Sequence, residues 1–120
     1  MQTRSNAYRL PAVFGEKRKT TTLYFLKSSS GYIKIGRSSN FDKRLSEIRR
    51  GTTDSHVEVL SVFYGSDETI IARERELHLE LAADNFKGEW FHDTPDVRNA
   101  LESCEREFNP ERFVLQDFGK

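Results

Sequence analysis

Two β-prone runs, Thr22 to Lys27 and Tyr32 to Gly36, flank the polar break Ser28-Ser29-Ser30-Gly31. No other feature constrains the fold as strongly. A short polar break with glycine at its end joins two such runs as a tight antiparallel hairpin, the glycine taking the bulge position. Pairing Lys27 with Gly31 sets Phe25 against Ile33 and Leu23 against Ile35 on a core-facing side. The opposite side then collects Tyr24, Leu26, Tyr32, Lys34 and Gly36 as an accessible face, with Tyr24 directly across from Lys34.

Helices and a further strand follow from caps and periods. Ser38-Ser39-Asn40 supplies capping residues for a helix over 41–50 that Gly51 stops, with Phe41, Leu45 and Ile48 as its apolar stripe and Arg44 at the edge of that stripe. Val57 to Tyr64 reads as a strand ended by Gly65. Ser66-Asp67 caps a second helix to about Ala83, with Ile70, Glu74, Leu77, His78 and Leu81 on one face. Glu74 sits in the middle of that apolar stripe, where an unsatisfied carboxylate costs several kcal/mol, so it needs a cation, a metal or a donor. After a turn at Asn85 to Gly88, Glu89-Trp90-Phe91 reads as a short edge strand with Trp90 and Phe91 in the core. Thr94-Pro95 opens a helix that ends before Pro110.

The expected class is therefore α+β, a small three-stranded antiparallel sheet flanked by helices. With 120 residues the chain holds one domain. Residues 1–20 read as a loosely ordered basic arm, 21–93 as the domain proper, and 94–120 as a helix and tail packing on it, through Phe113, Val114, Leu115 and Phe118.

Net charge is zero, but residues 1–50 hold 12 Lys/Arg against 3 Asp/Glu, and residues 51–120 hold 7 against 16. That asymmetry can focus a polyanion onto one face, and a solvated charged surface is the plain alternative. There is no apolar run of membrane-spanning length and no secretory leader, so a cytoplasmic location is expected. The 1 cysteine, Cys104, excludes an internal disulfide and a zinc knuckle, and reads as a small core or surface residue.

The runs Leu23-Tyr24-Phe25-Leu26, Tyr32-Ile33-Lys34-Ile35-Gly36, Arg44-Leu45, Glu74-x-x-Leu77-His78 and Gly88-Glu89-Trp90-Phe91 together resemble the GIY-YIG nuclease superfamily. They are closest in pattern to the branch of phage proteins and meiotically up-regulated-gene-type domains whose second signature reads Lys-Ile-Gly. The resemblance covers about residues 21–93 and implies a divalent-metal-dependent endonuclease hydrolysing phosphodiester bonds in DNA. It also implies one Mg2+ or Mn2+ ion as cofactor and an active site on one sheet face and two adjacent helices.

By that resemblance Tyr24 orients or deprotonates the attacking water, Arg44 forks onto the phosphate oxygens, and Glu74 holds the ion. Lys34 stands where a tyrosine is usual. It is placed to lower the pKa of Tyr24, to act as base if desolvated, or to grip phosphate. His78, one turn after Glu74, would relay a proton or reach the metal through a water. Arg37, Lys43, Arg49 and Arg50 are assigned to nucleic-acid binding.

Each residue also has a plain structural alternative: Tyr24 as a packing residue, Glu74 with Arg44 as an ion pair, His78 as a core histidine. At the level of function the rivals are a DNA-binding module without cleavage and a protein-interaction domain using the acidic half. A homodimer cutting both strands is left open.

Overall fold

The computed structural model describes residues 20–54 and 56–109. The expected N-terminal arm, save Thr20, and the C-terminal segment around Phe113 and Phe118 lie outside the described residues. Five strands and three helices follow in the order β1 (Thr20–Ser28), β2 (Ile33–Ser38), α1 (Phe41–Arg50), β3 (Val57–Ser66), α2 (Asp67–Glu80), β4 (Asn85–Lys87), β5 (Trp90–Phe91) and α3 (Pro95–Phe108). A 3-10 turn at Ala82–Asp84 links α2 to β4.

The α+β class holds, but the sheet has five antiparallel strands in the order β3-β1-β2-β5-β4, not three. The two extra places are filled by residues 85–91, folded into a small hairpin through Gly88 at φ 58. Strands of 3 and 2 residues are too short to display an alternating period, which is why sequence pattern shows a turn there. Glu89-Trp90-Phe91 is consequently not at the edge: β5 pairs with β2 through Ile33–Phe91 and Lys34–Trp90, and β4 lies outside it.

The first hairpin closes one residue pair later than expected. Ser28 N donates to Tyr32 O at 2.9 Å and Gly31 N to Ser28 O at 2.9 Å, leaving Ser29, Ser30 and Gly31 as the loop. Gly31 takes φ 97, a left-handed conformation that belongs inside a turn rather than in a paired position. The register therefore sets Phe25 opposite Ile35, Tyr24 opposite Gly36 and Leu26 opposite Lys34. Moving the register by two residues preserves which side chain faces which side, but it replaces Tyr24's cross-strand neighbour, expected to be Lys34, with a glycine.

All three helix starts are capped by the expected residues. The Asn40 side chain accepts from Lys43 N, that of Ser66 from Thr69 N, and that of Thr94 from Val97 N, each satisfying one of the orphan donors of a first turn. On one side of the sheet, Leu23, Phe25, Ile33 and Ile35 pack with Phe63 and Phe91 beneath Ile70, Leu77 and Leu81 of the α2 segment and Val97 and Cys104 of α3. Phe25 meets Phe63 edge-on at 6.2 Å. Each such side chain, fully buried, contributes about 1.5–3 kcal/mol of hydrophobic transfer.

The other side is not the accessible face that alternation alone suggests. There α1 lies over the strands, and Tyr24, Leu26 and Val57 are buried beneath Phe41, Leu45 and Ile48. No residue of α1 is itself buried, so this second layer is thin. Trp90, expected in the core with Phe91, is only half-buried, because alternation turns it to the α1 side while Phe91 enters the core. Among the described residues no helix is long and apolar enough to cross a membrane.

Candidate active site

Tyr24 leaves β1 on the α1 side and lies across Gly36 of the neighbouring strand. A Cβ at Gly36 would meet Tyr24 Oη at 2.6 Å and Cζ at 2.7 Å, so no other residue leaves room for the ring as it stands. The ring is fully buried and packs on Phe41 at 5.3 Å. Its hydroxyl is, among the described residues, the one buried side-chain polar atom without a hydrogen-bond partner. Leaving such a group unsatisfied costs about 1–3 kcal/mol, so this hydroxyl is expensive to keep.

The surroundings of that phenol are charged. Burial raises its pKa, the Arg44 guanidinium opposes the rise, and the Glu89 and Glu74 carboxylates add to it. Arg44 acts on the phenol without meeting it in hydrogen-bond geometry, while the phenol and Glu47 together hold the guanidinium more firmly charged. A phenol with a raised pKa stays protonated at neutral pH, so Tyr24 can donate or accept a hydrogen bond but is not a phenolate. Lys34, expected beside the phenol, is engaged by other groups. Its ammonium lies 3.2 Å from Glu89 and 5.2 Å from the centre of the Trp90 ring, engagements that follow from its pairing with β5.

Arg44 projects from α1 with its side chain 44% exposed and pairs with Glu47 one turn on at 3.3 Å. Exposed pairs of that spacing are worth a few tenths of a kcal/mol, so the guanidinium is available to an incoming anion at little cost.

Glu74 approaches from α2. Its carboxylate, 13% exposed, pairs through Oε1 with Arg37 Nε at 3.1 Å, while Oε2 lies 3.9 Å from His78 Nε2, beyond hydrogen-bond reach. The mid-stripe acid thus has its cation, and the cation is Arg37 rather than Arg44. Arg37, assigned from sequence to nucleic-acid binding, pairs here with that carboxylate and keeps its side chain 45% exposed. His78 Nε2 donates to the Ile35 carbonyl at 2.9 Å, since a carbonyl only accepts, and its ring stands edge-on to Phe91 at 5.0 Å. That bond fixes the ring against β2 just before Gly36.

Of the other assigned cations, Arg49 donates through Nη2 to the Val57 carbonyl at 2.7 Å and straps α1 to β3, a structural task that sequence position does not reveal. Lys43 and Arg50 are exposed on α1. Among the described residues no group of three or more His, Cys, Asp and Glu side chains is placed to hold a metal together. A hard ion such as magnesium needs only one or two protein carboxylates and keeps its waters, and Glu74 Oε2 has lone pairs to offer, so the donor set fits that kind of ion.

Beside these groups a cleft of about 560 Å³ opens between α1, the segment Gly51 to Asp54 and the β4–β5 hairpin, with Lys34, Arg44 and Trp90 in its wall. Sequence reasoning missed its aromatic side. Tyr32 and Phe86 stack at 4.1 Å with 10° between their planes, and His92 stands at an angle to both rings. The signal was a pairing between β2 and residues 85–91, which local pattern does not carry. Cys104 is buried in the opposite layer, its thiol pushed up to about 11 by burial, and takes no part in the site.

Residues 21–108 match the family model described as the T5orf172 domain, more than two thirds of the chain. No curated protein and no solved structure matches it.

Proposed function

We propose that this chain, which belongs to the T5orf172 domain family, is a divalent-metal-dependent endonuclease of GIY-YIG type that hydrolyses phosphodiester bonds in DNA. The family's association with nuclease-like domains is consistent with that reading. The observation that carries it is the Tyr24 hydroxyl: buried, unpartnered, held against Gly36, and within the electrostatic reach of Arg44 and Glu74. A packing role alone would be filled as well by phenylalanine and without the cost of the stranded hydroxyl.

Hydrolysis needs an oriented water, a counter-charge for the phosphoryl oxygens and help for the leaving oxygen. Tyr24, protonated, orients the water by hydrogen bonding rather than by taking its proton. Arg44 gives up its weak bond to Glu47 and forks onto the non-bridging oxygens, whose planar geometry suits a guanidinium. Glu74 would hold the ion, which when bound would supply Lewis-acid charge and a more acidic water. Arg37 offsets the Glu74 charge and positions it, and His78 is anchored to β2 through the Ile35 carbonyl.

The test is nicking of supercoiled plasmid in magnesium. Arg44→Ala and Glu74→Gln should each lower the rate roughly 100-fold or more, the scale of removing one group that stabilises transition-state charge. One observation favours the runner-up, a DNA-binding module without cleavage: Lys34, at the position usually held by tyrosine, is engaged by Glu89 and Trp90. Intact plasmid together with retained, salt-sensitive binding would decide for it.

A further inference from the structure

The cleft combines two kinds of lining. Cations reach it from Arg44 of α1, Lys34 of β2 and Lys87 of β4, beside the carboxylates of Glu47 and Asp54. Aromatic rings line the same space: Tyr32, Phe86 and Trp90. Phe86 is 49% exposed although Tyr32 covers one of its ring faces, so the open surface is its other face. An exposed phenylalanine pre-stacked on a second ring is a rigid platform, and it stands beside positive charge rather than in an apolar patch.

We infer that this cleft holds one unpaired nucleotide of a strand, its base laid on the open face of Phe86 and its phosphate drawn to Arg44 and Lys87. The inference rests on the nucleic-acid reading proposed above and narrows its substrate to strands with a single-stranded segment. Three features argue for that occupant. The volume, about 560 Å³, falls in the range of sites that enclose a small ligand. Lys34, Arg44 and Lys87 outnumber the carboxylates of Glu47 and Asp54 in the lining, a balance that favours a phosphate. Base pairs inside a duplex present only their edges, whereas an unpaired base offers a π-face to stack on an aromatic ring.

The experiment is fluorescence anisotropy with the full chain in excess chelator, so that binding is read without cleavage. Labelled oligonucleotides of one length are compared as single-stranded DNA, single-stranded RNA and duplex DNA at fixed salt. The expected result is tighter binding of a single strand than of duplex. Phe86→Ala should lose at least about fivefold of the single-strand affinity, the low end of what one base–aromatic stack is worth, and leave duplex binding unchanged. Phe86→Tyr should retain the affinity. Whether the DNA or the RNA strand shows the Phe86 dependence assigns the sugar, and either supports the inference. Equal binding of single strand and duplex, no binding, or indifference to Phe86→Ala overturns it. The nuclease reading fails separately: Phe86-dependent binding with no nicking in magnesium leaves the nucleotide site standing, and nicking unaffected by Phe86→Ala with equal binding of both forms leaves the nuclease standing.

Discussion

Adjacent residues of one strand enter two unlike environments. Phe25 points into a layer closed by two helices, where aliphatic and aromatic side chains are fully buried against one another. Tyr24, its neighbour, points under a single helix that buries none of its own residues, and it ends at a polar atom with no partner. The first layer is built for stability, and the second spends some of that stability on a charged cleft. The difference shows how a small α+β domain separates its two tasks across one sheet: β1 and β2 contribute to both layers, so the closed side holds rigid the backbone from which Tyr24, Lys34 and Gly36 project.

The contrast breaks most visibly at Phe25. Phe25→Ala removes a fully buried ring from the closed layer and should cost about 3–5 kcal/mol in chemical denaturation, whereas Leu45→Ala on the half-buried α1 stripe should cost under about 2 kcal/mol. Comparable losses would mean that the two layers are equally packed.

Gly36→Ala is the next largest. Its Cβ would overlap Tyr24 Oη and Cζ, so the buried ring must shift, and a loss of about 1–3 kcal/mol is expected together with loss of nicking. The same substitution in a Tyr24→Ala background should add little further destabilisation. An undiminished cost there would show that the glycine is needed for some reason other than the ring.

Tyr24→Phe sharpens the comparison because its effects run in opposite directions. Removing the stranded hydroxyl should raise stability by about 1 kcal/mol while nicking falls, the pattern of a group kept for function at the expense of the fold. A variant that is both less stable and fully active would reverse the assignment.

The smallest effect lies at the rim of the closed layer, where Asp93 takes two bonds from Arg98 and one from Lys27, tying the end of β1 to α3. Arg98 first, and then Lys27, hold the Asp93 carboxyl at about 2, below its ordinary 3.8. Because the folded-state value is the lower one, the stabilisation is complete above pH ~4 and is lost as pH falls towards ~2. After solvent screening it amounts to about 1 kcal/mol. Denaturation midpoints between those pH values should fall less in Asp93→Asn than in the parent; parallel curves would remove Asp93 from the account.

Much of the fold was legible in the chain because it is written locally. Asn40, Ser66 and Thr94 cap the three helices as their side chains dictate, and Ile70, Leu77 and Leu81 form the buried stripe that their spacing describes. The candidate site was legible in part. Glu74 was conspicuous as an acid on an apolar stripe, but its partner was not: Arg37 lies 37 residues away in sequence, and nothing local selects it over Arg44. Lys34 read as a neighbour of Tyr24, and a two-residue change of register gave that place to Gly36.

By itself, then, the sequence determined the α+β class, the helix starts and which residues alternate across β1 and β2, since caps and periods act over one or two turns or a few pleats; the second helix, expected to reach about Ala83, stops at Glu80 and gives way to a 3-10 turn. The tertiary structure alone decided that the sheet has five strands, that Tyr24 is buried beneath α1, and that Lys34 goes to Glu89 and Arg37 to Glu74. Those outcomes depend on which distant segments close on one another, and a segment as short as β4 or β5 acquires its structure only from the strand it pairs with.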